Sequence, residues 1–230
     1  MDKVKSFFRA DKSYRSDLYS FTIRDAVIAI VYYLVLLSVY YIVGHIFAVT
    51  KINLSVLMSI VLMLIPVVIY HRSIATIGIN RRNLKPSLIV SCAIGGLFLI
   101  SYTIVPCVIA QRQLLPAKDI AYNIFFYFVI IGLNEEISFR GFIQPRLFPL
   151  LKREWLTVLI GGILFVFMHY PFQMAVRQMT FWEYWPQFIE NAPMQMVWHL
   201  VFTWLYRRYG NIFSSTVLHG LVDMSEGIFG

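Results

Sequence analysis

The chain alternates long apolar runs with short polar, basic connectors. The runs cover about 26–49, 54–70, 87–110, 120–136, 155–170, 188–206 and 212–228, each close to the ~20 residues that cross a ~30 Å hydrocarbon core as a helix. They are continuous and rich in Leu, Ile, Val and Phe, whereas strands of a membrane barrel alternate over ~10 residues. The pattern predicts an all-α, polytopic transmembrane bundle of about seven helices. The ambiguous 170–210 region and the long first run leave room for six to eight. Residues 1–24 read as a basic cytoplasmic segment and 25–230 as a single transmembrane domain. Pro86 is placed to open the third run.

Composition fits a lipid environment. Hydrophobic residues make up 59% of the 230 positions and charged residues 14%, against roughly 25% charged in soluble domains. The net charge of +8 does not call for nucleic acid, because its distribution is topological. Sixteen of the twenty Lys and Arg lie before the first run or in 71–86, 140–154 and 207–208. Lys51, Arg112, Lys118 and Arg177 fall on the other side. Such a bias places the N-terminus in the cytoplasm, in a multi-pass protein of the cell membrane whose compact chain suits a bacterial plasma membrane. No cleavable signal peptide is expected, since the first run follows about 25 polar and basic residues and lacks a small-residue cleavage site. The mixture of Lys and Arg with Phe and Tyr in 1–24 suits a segment lying against an anionic leaflet.

Cys92 and Cys107 are fifteen positions apart on one run, ~22 Å along a helix, so they cannot bond to each other there and read as buried small hydrophobes. Gly95-Gly96 and Gly161-Gly162 are expected to let helices approach closely. Trp155, Trp182, Trp185 and Tyr209 are expected at the membrane interfaces.

Charge inside these runs needs a reason, because an intramembrane carboxylate is expensive. Glu135, Glu136 and Arg140 sit as Glu-Glu-Ile-Ser-Phe-Arg at the end of one run. His169 closes another, and His219 and Asp223 occupy one face of the last at i and i+4. Glu136 and Arg140 are spaced for an intrahelical ion pair. That leaves Glu135 as the spare carboxylate, on a face shared with Ile131 and Phe139 that suits a general base. If the Glu-bearing helix runs on to about Leu147, Glu135, His169 and His219 lie ~18, ~21 and ~12 Å from the cytoplasmic ends of their helices. Tilts of ~20° make those depths overlap, in a cavity expected to admit water from the cytoplasmic side.

Such a set supports a Glu/His pair that activates water beside oxyanion-stabilising groups. It equally supports a divalent metal, zinc included, that acidifies a bound water. The His-Glu-x-x-His helix, the Gly-x-Ser-x-Gly elbow and a Gly-rich phosphate loop are missing. Ser215 and His219 are spaced for a dyad, although Ser in a membrane helix is usually a packing residue. His45, His71 and His199 read as structural or interfacial.

Glu135-Glu136-x-x-x-Arg140, then Phe165-x-x-x-His169, then His219-x-x-x-Asp223, resembles the CPBP (Abi) family of intramembrane proteases, which includes the type II CAAX prenyl proteases. The resemblance covers about 119–228. It implies an intramembrane endopeptidase acting on a membrane-associated peptide or protein. In it Glu135 and His169 act on water, and His219 and the residue at 223 stabilise the oxyanion. Glu136 and Arg140 support the site, and Phe165 packs beside it. No cofactor is favoured, with zinc the alternative. Many members carry Asn where this chain has Asp223. Asn donates to an oxyanion, whereas an ionised Asp does not, so Asp223 must be protonated, or orient His219, or bind a metal. A non-catalytic scaffold or bacteriocin self-immunity protein of the same fold is the alternative function, and a proton-coupled transporter is a third.

Overall fold

Caps in the connectors set where the apolar runs begin and end, and the computed structural model, which describes residues 9–230, is built almost wholly from helices. They are α1 (Lys12–Ser20), α2 (Ile23–Thr50), α3 (Ser55–Ile69), α4 (Leu84–Ile109), α5 (Ala117–Leu151), α6 (Glu154–Val176), α7 (Phe181–Tyr209) and α8 (Ile212–Asp223). Thr22 and Asp25 form a reciprocal capping box at the start of α2, and Thr180 and Glu183 repeat it at α7; each box satisfies donors that a helix start leaves unpaired. Pro86 lies in the first turn of α4, as expected.

Each of the seven predicted runs falls on one helix, α2 to α8. By length and apolarity α2, α4, α5 and α6 can cross a membrane, whereas α3 is apolar but only 15 residues long. Helix α7 spans 29 residues, but its first half carries Glu183, Glu190, Pro186 and Pro193. The Glu-bearing helix runs on past residue 136, as the depth of Glu135 required. It continues to Leu151, with π-helical stretches at Phe126–Leu133 and Ile137–Ile143 on either side of the Glu pair. Such wide turns are frequent at functional sites.

The outward faces of these helices are apolar. Val27, Val31 and Leu34 on α2, Leu57 and Val61 on α3, and Ile89, Leu97 and Ile109 on α4 are all exposed, as residues that meet lipid chains are. Inside, α6 packs along α2 and α8 along α4 and α5. The glycine pairs are only partly packing devices. A Cβ on Gly95 would meet Leu221 at 2.6 Å, one on Gly161 would meet Gln144 at 2.7 Å, and one on Gly162 would meet Met196 at 2.6 Å, but Gly96 has nothing within 4 Å. Trp155, Trp182 and Trp185 are exposed near helix ends, whereas Tyr209 is buried in the bundle rather than set at its surface. The reason is local: α7 ends at Gly210 in the left-handed conformation, and Asn211 immediately caps α8. That tight reversal leaves Tyr209 against Phe202, Leu205 and Leu218.

The first eight residues of the basic segment 1–24 lie outside the described residues. The remainder docks on the protein rather than only along a leaflet. Tyr14 and Leu18 of α1 are buried, Tyr14 edge-on to Tyr206, and Asp17 pairs with Arg82 at 3.0 Å.

Candidate functional site

Glu135 lies near the middle of α5, where two long apolar stretches bury whatever side chains face inward. Helices α6 and α8 run past it on either side, and they bring His169 and His219 to its level. Glu135 Oε2 is 3.9 Å from His169 Nε2 and 3.7 Å from His219 Nε2, and Asp223 Oδ2 is 3.5 Å from the same His219 atom. The sequence-predicted quartet is thus one cluster. Glu135 Oε2 is buried without a hydrogen-bond partner, and Glu135, His169, His219 and Asp223 all line one cavity of about 600 Å³.

Behind the quartet the supporting residues form a chain of hydrogen bonds. Arg140 Nη1 donates to Glu136 Oε1 at 2.8 Å, the i,i+4 pair expected from the spacing, and both side chains are fully buried. His219 Nδ1 approaches the same oxygen at 2.9 Å. Because an ionised carboxylate only accepts, Nδ1 of His219 carries a proton, and Nε2 faces the cavity. His169 Nδ1 lies 3.0 Å from the Phe165 carbonyl, an acceptor, so the same rule leaves its Nε2 as the atom that faces Glu135. Phe165 packs beside the site as the resemblance implies, with Arg140 stacked 4.1 Å over its ring and His169 edge-on at 5.2 Å. Phe202 stacks on the His219 ring at 4.6 Å.

His199 was read as structural or interfacial, and the structure gives it a specific place. Arg140 Nη2 donates to His199 Nδ1 at 3.1 Å, and His199 Nε2 lies 3.2 Å from the Val158 carbonyl and 3.3 Å from Thr203, which donates to Gln144. Arginine donates only, so His199 holds its proton on Nε2 and fixes the far edge of the guanidinium. Its signal in the sequence was present but weak: a fourth His in an apolar helix, with no partner at helical spacing except Thr203. Ser215 donates to the Ile212 carbonyl at 3.1 Å, the back-bonding typical of membrane helices, rather than to His219. His45 stacks on Tyr41 away from the cavity.

The basic end of the bundle, the side from which the sequence led us to expect water, is packed with apolar side chains. Phe139, Phe142 and Ile143 on α5, Ile212 on α8 and Ile77 between α3 and α4 are fully buried beneath the quartet, whereas the cavity mouth is framed by the exposed Tyr102, Met194 and Glu226. Among the described residues no group of three or more His, Cys, Asp or Glu side chains is arranged to hold a metal ion directly.

A lipid-covered helical bundle with carboxylates and imidazoles around an internal cavity has the build of an intramembrane enzyme. Residues 117–225 match the model of the Type II CAAX prenyl endopeptidase Rce1-like family, the family its motifs resemble, and over this segment the chain is similar to those membrane proteases. No curated protein and no solved structure matches the chain.

Proposed function

We propose that the protein is a multi-pass endopeptidase of the plasma membrane, with its N-terminus in the cytoplasm, that cleaves a membrane-associated peptide or protein through a water activated by Glu135 and His169. The observation that carries this reading is Glu135 Oε2, buried, without a hydrogen-bond partner, and aimed between two imidazole Nε2 atoms at 3.7 and 3.9 Å. Those separations exceed a direct hydrogen bond and suit a bridge through one water.

Glu135 takes a proton from that water while His169 Nε2 holds it, and the resulting hydroxide attacks the scissile carbonyl carbon. The carbonyl oxygen becomes an oxyanion beside His219 Nε2, whose imidazolium charge Glu136 offsets through Nδ1. Asp223, 3.5 Å from that Nε2, donates to the oxyanion when protonated. Glu135 then passes its proton to the departing amine, the C–N bond breaks, and the free carboxylate is restored. Arg140 and His199 hold Glu136, and through it the His219 ring, without touching substrate.

The test compares cells carrying wild type or Glu135→Gln at matched membrane levels, with peptides released and proteins truncated read by mass spectrometry. A fragment set made only by the wild type supports the proposal. Identical fragment sets from a well-folded Glu135→Gln protein overturn it in favour of a scaffold or self-immunity role. Addition of a chelator, followed by zinc, to the purified protein separates the metal-free course from a metal-dependent one.

A further inference from the structure

The lining of the active-site cavity is drawn from one half of α2 to α6 and α8 and from the middle of α7. Tyr40 sits ten residues from the end of α2, and Ser55 opens α3. Tyr102 lies in the second half of α4 and Phe126 in the first half of α5. Gln173 is near the end of α6, and Glu226 lies just beyond α8. Near these helix ends lie Lys51, Arg112, Lys118 and Arg177, whereas the opposite ends carry thirteen basic residues among the described ones, with Arg140 alone between the two ends. At the opposite end the core is closed: Phe139, Phe142, Ile143 and Ile212 are inaccessible to solvent, and Tyr206 nearly so. At the cavity end Tyr102 is 70% and Met194 61% exposed. A two-sided bundle with thirteen basic residues at one end and four at the other places the first end in the cytoplasm.

We infer that the cavity opens on the non-cytoplasmic face of the membrane. On the proteolytic reading, on which this inference rests for its substrate, the scissile segment is presented from the outer half of the bilayer: an exported peptide, or the outward-facing flank of a membrane anchor. Water reaches Glu135 from the same side, past Tyr102 and Glu226. The cavity wall contributes Asp223 and Glu226 besides Glu135, so the route carries acceptors for a hydrated, extended peptide through an otherwise aromatic passage.

Cysteine labelling tests this on the full chain in cells. In a Cys92→Ser/Cys107→Ser background, Ser225→Cys places a thiol in the cavity and Ser73→Cys places one in the exposed basic connector between α3 and α4. Both changes leave the charge distribution intact. With a sulfonated, membrane-impermeant maleimide, Ser225→Cys is expected to label equally in intact and permeabilised cells, and Ser73→Cys only after permeabilisation. Glu226→Cys at the mouth repeats the first result should Ser225→Cys be poorly inserted. The reverse pattern, or labelling of both cavity positions only after permeabilisation, overturns the inference. If the expected pattern appears while fragments remain independent of Glu135, the proteolytic reading fails and the orientation stands. If Glu135-dependent fragments appear with the reverse pattern, the orientation alone fails.

Discussion

Replacing Arg140 with Met removes a buried cation from the centre of the bundle while keeping a flexible apolar chain of similar length. Arg140 donates to Glu136 at 2.8 Å and to His199 at 3.1 Å, and its guanidinium lies 4.1 Å over Phe165 and 5.2 Å over Phe202. Its loss strands the Glu136 carboxylate, which is fully buried and keeps His219 and the Ser215 hydroxyl but no cation fixed by its own chemistry. Breaking one side of a buried pair costs ~3–5 kcal/mol. Hydrogen bonds between membrane helices average only about 0.6 kcal/mol because the unfolded chain also finds partners in the bilayer, so the lower end, about 3 kcal/mol, is expected. For a chain of this size that corresponds to a midpoint lowered by roughly 6–12 °C, read by thermal unfolding in detergent micelles. The sharper test is the double substitution Glu136→Gln/Arg140→Met, which removes the stranded charge and should recover about 2 kcal/mol of the loss. A single variant as stable as wild type, or a double variant less stable than the single one, refutes the account of Glu136 and Arg140 as a mutually compensating buried pair.

Other outcomes follow from particular contacts. His199→Phe keeps the ring against Phe165 but removes the acceptor for Arg140 Nη2, so the catalytic rate should fall at least about tenfold, about 1.4 kcal/mol in the barrier, with substrate binding unchanged; unchanged kcat with altered KM would count against a positioning role. Asp223→Asn should retain proteolysis, because the amide donates without needing a proton, whereas Asp223→Leu should lose it; inactive Asn and active Leu variants in a fragment assay would remove Asp223 from the site. Gly141→Ala pushes a Cβ into the Ile77 carbonyl, backbone that cannot rotate away, while Gly96→Ala meets nothing. The first should destabilise by ~1–3 kcal/mol and the second hardly at all, a contrast read from their melting midpoints. Asp11 caps α1 through the Ser13 amide at 2.8 Å. Burial pushes its carboxyl up, but hydrogen bonds from Ser13 and Asn83 outweigh it and hold it below the ordinary range. Its contribution is therefore complete above the ordinary aspartate value and is lost as pH falls through the lower folded one, and Asp11→Ala should cost about 1 kcal/mol at neutral pH and progressively less in acid, measured as protection of α1 from proteolysis.

What the sequence revealed and concealed has a common physical cause. Helical periodicity is local, so the Glu136–Arg140 pair and the shared face of His219 and Asp223 could be read from spacing alone. The meeting of Glu135 with His169 and His219 rested on matching depths, a quantity that 1.5 Å per residue supplies along an axis but not around it. His199 escaped because its partners, Arg140 on α5 and the Val158 carbonyl on α6, are 59 and 41 residues away and neither shares a helix with it. The closed basic end was hidden for the same reason. Phe139 and Phe142 look like any lipid-facing aromatic until the bundle sets them edge-on to Tyr33 and Tyr32. Depth fixed where the charges sit, and packing decided from which side they can be reached: a polar cluster midway through a bilayer opens toward whichever end its neighbours leave unfilled. Here the large aromatic and aliphatic side chains of α5 fill the basic end, so on the proposed reading substrate meets Glu135 from the other.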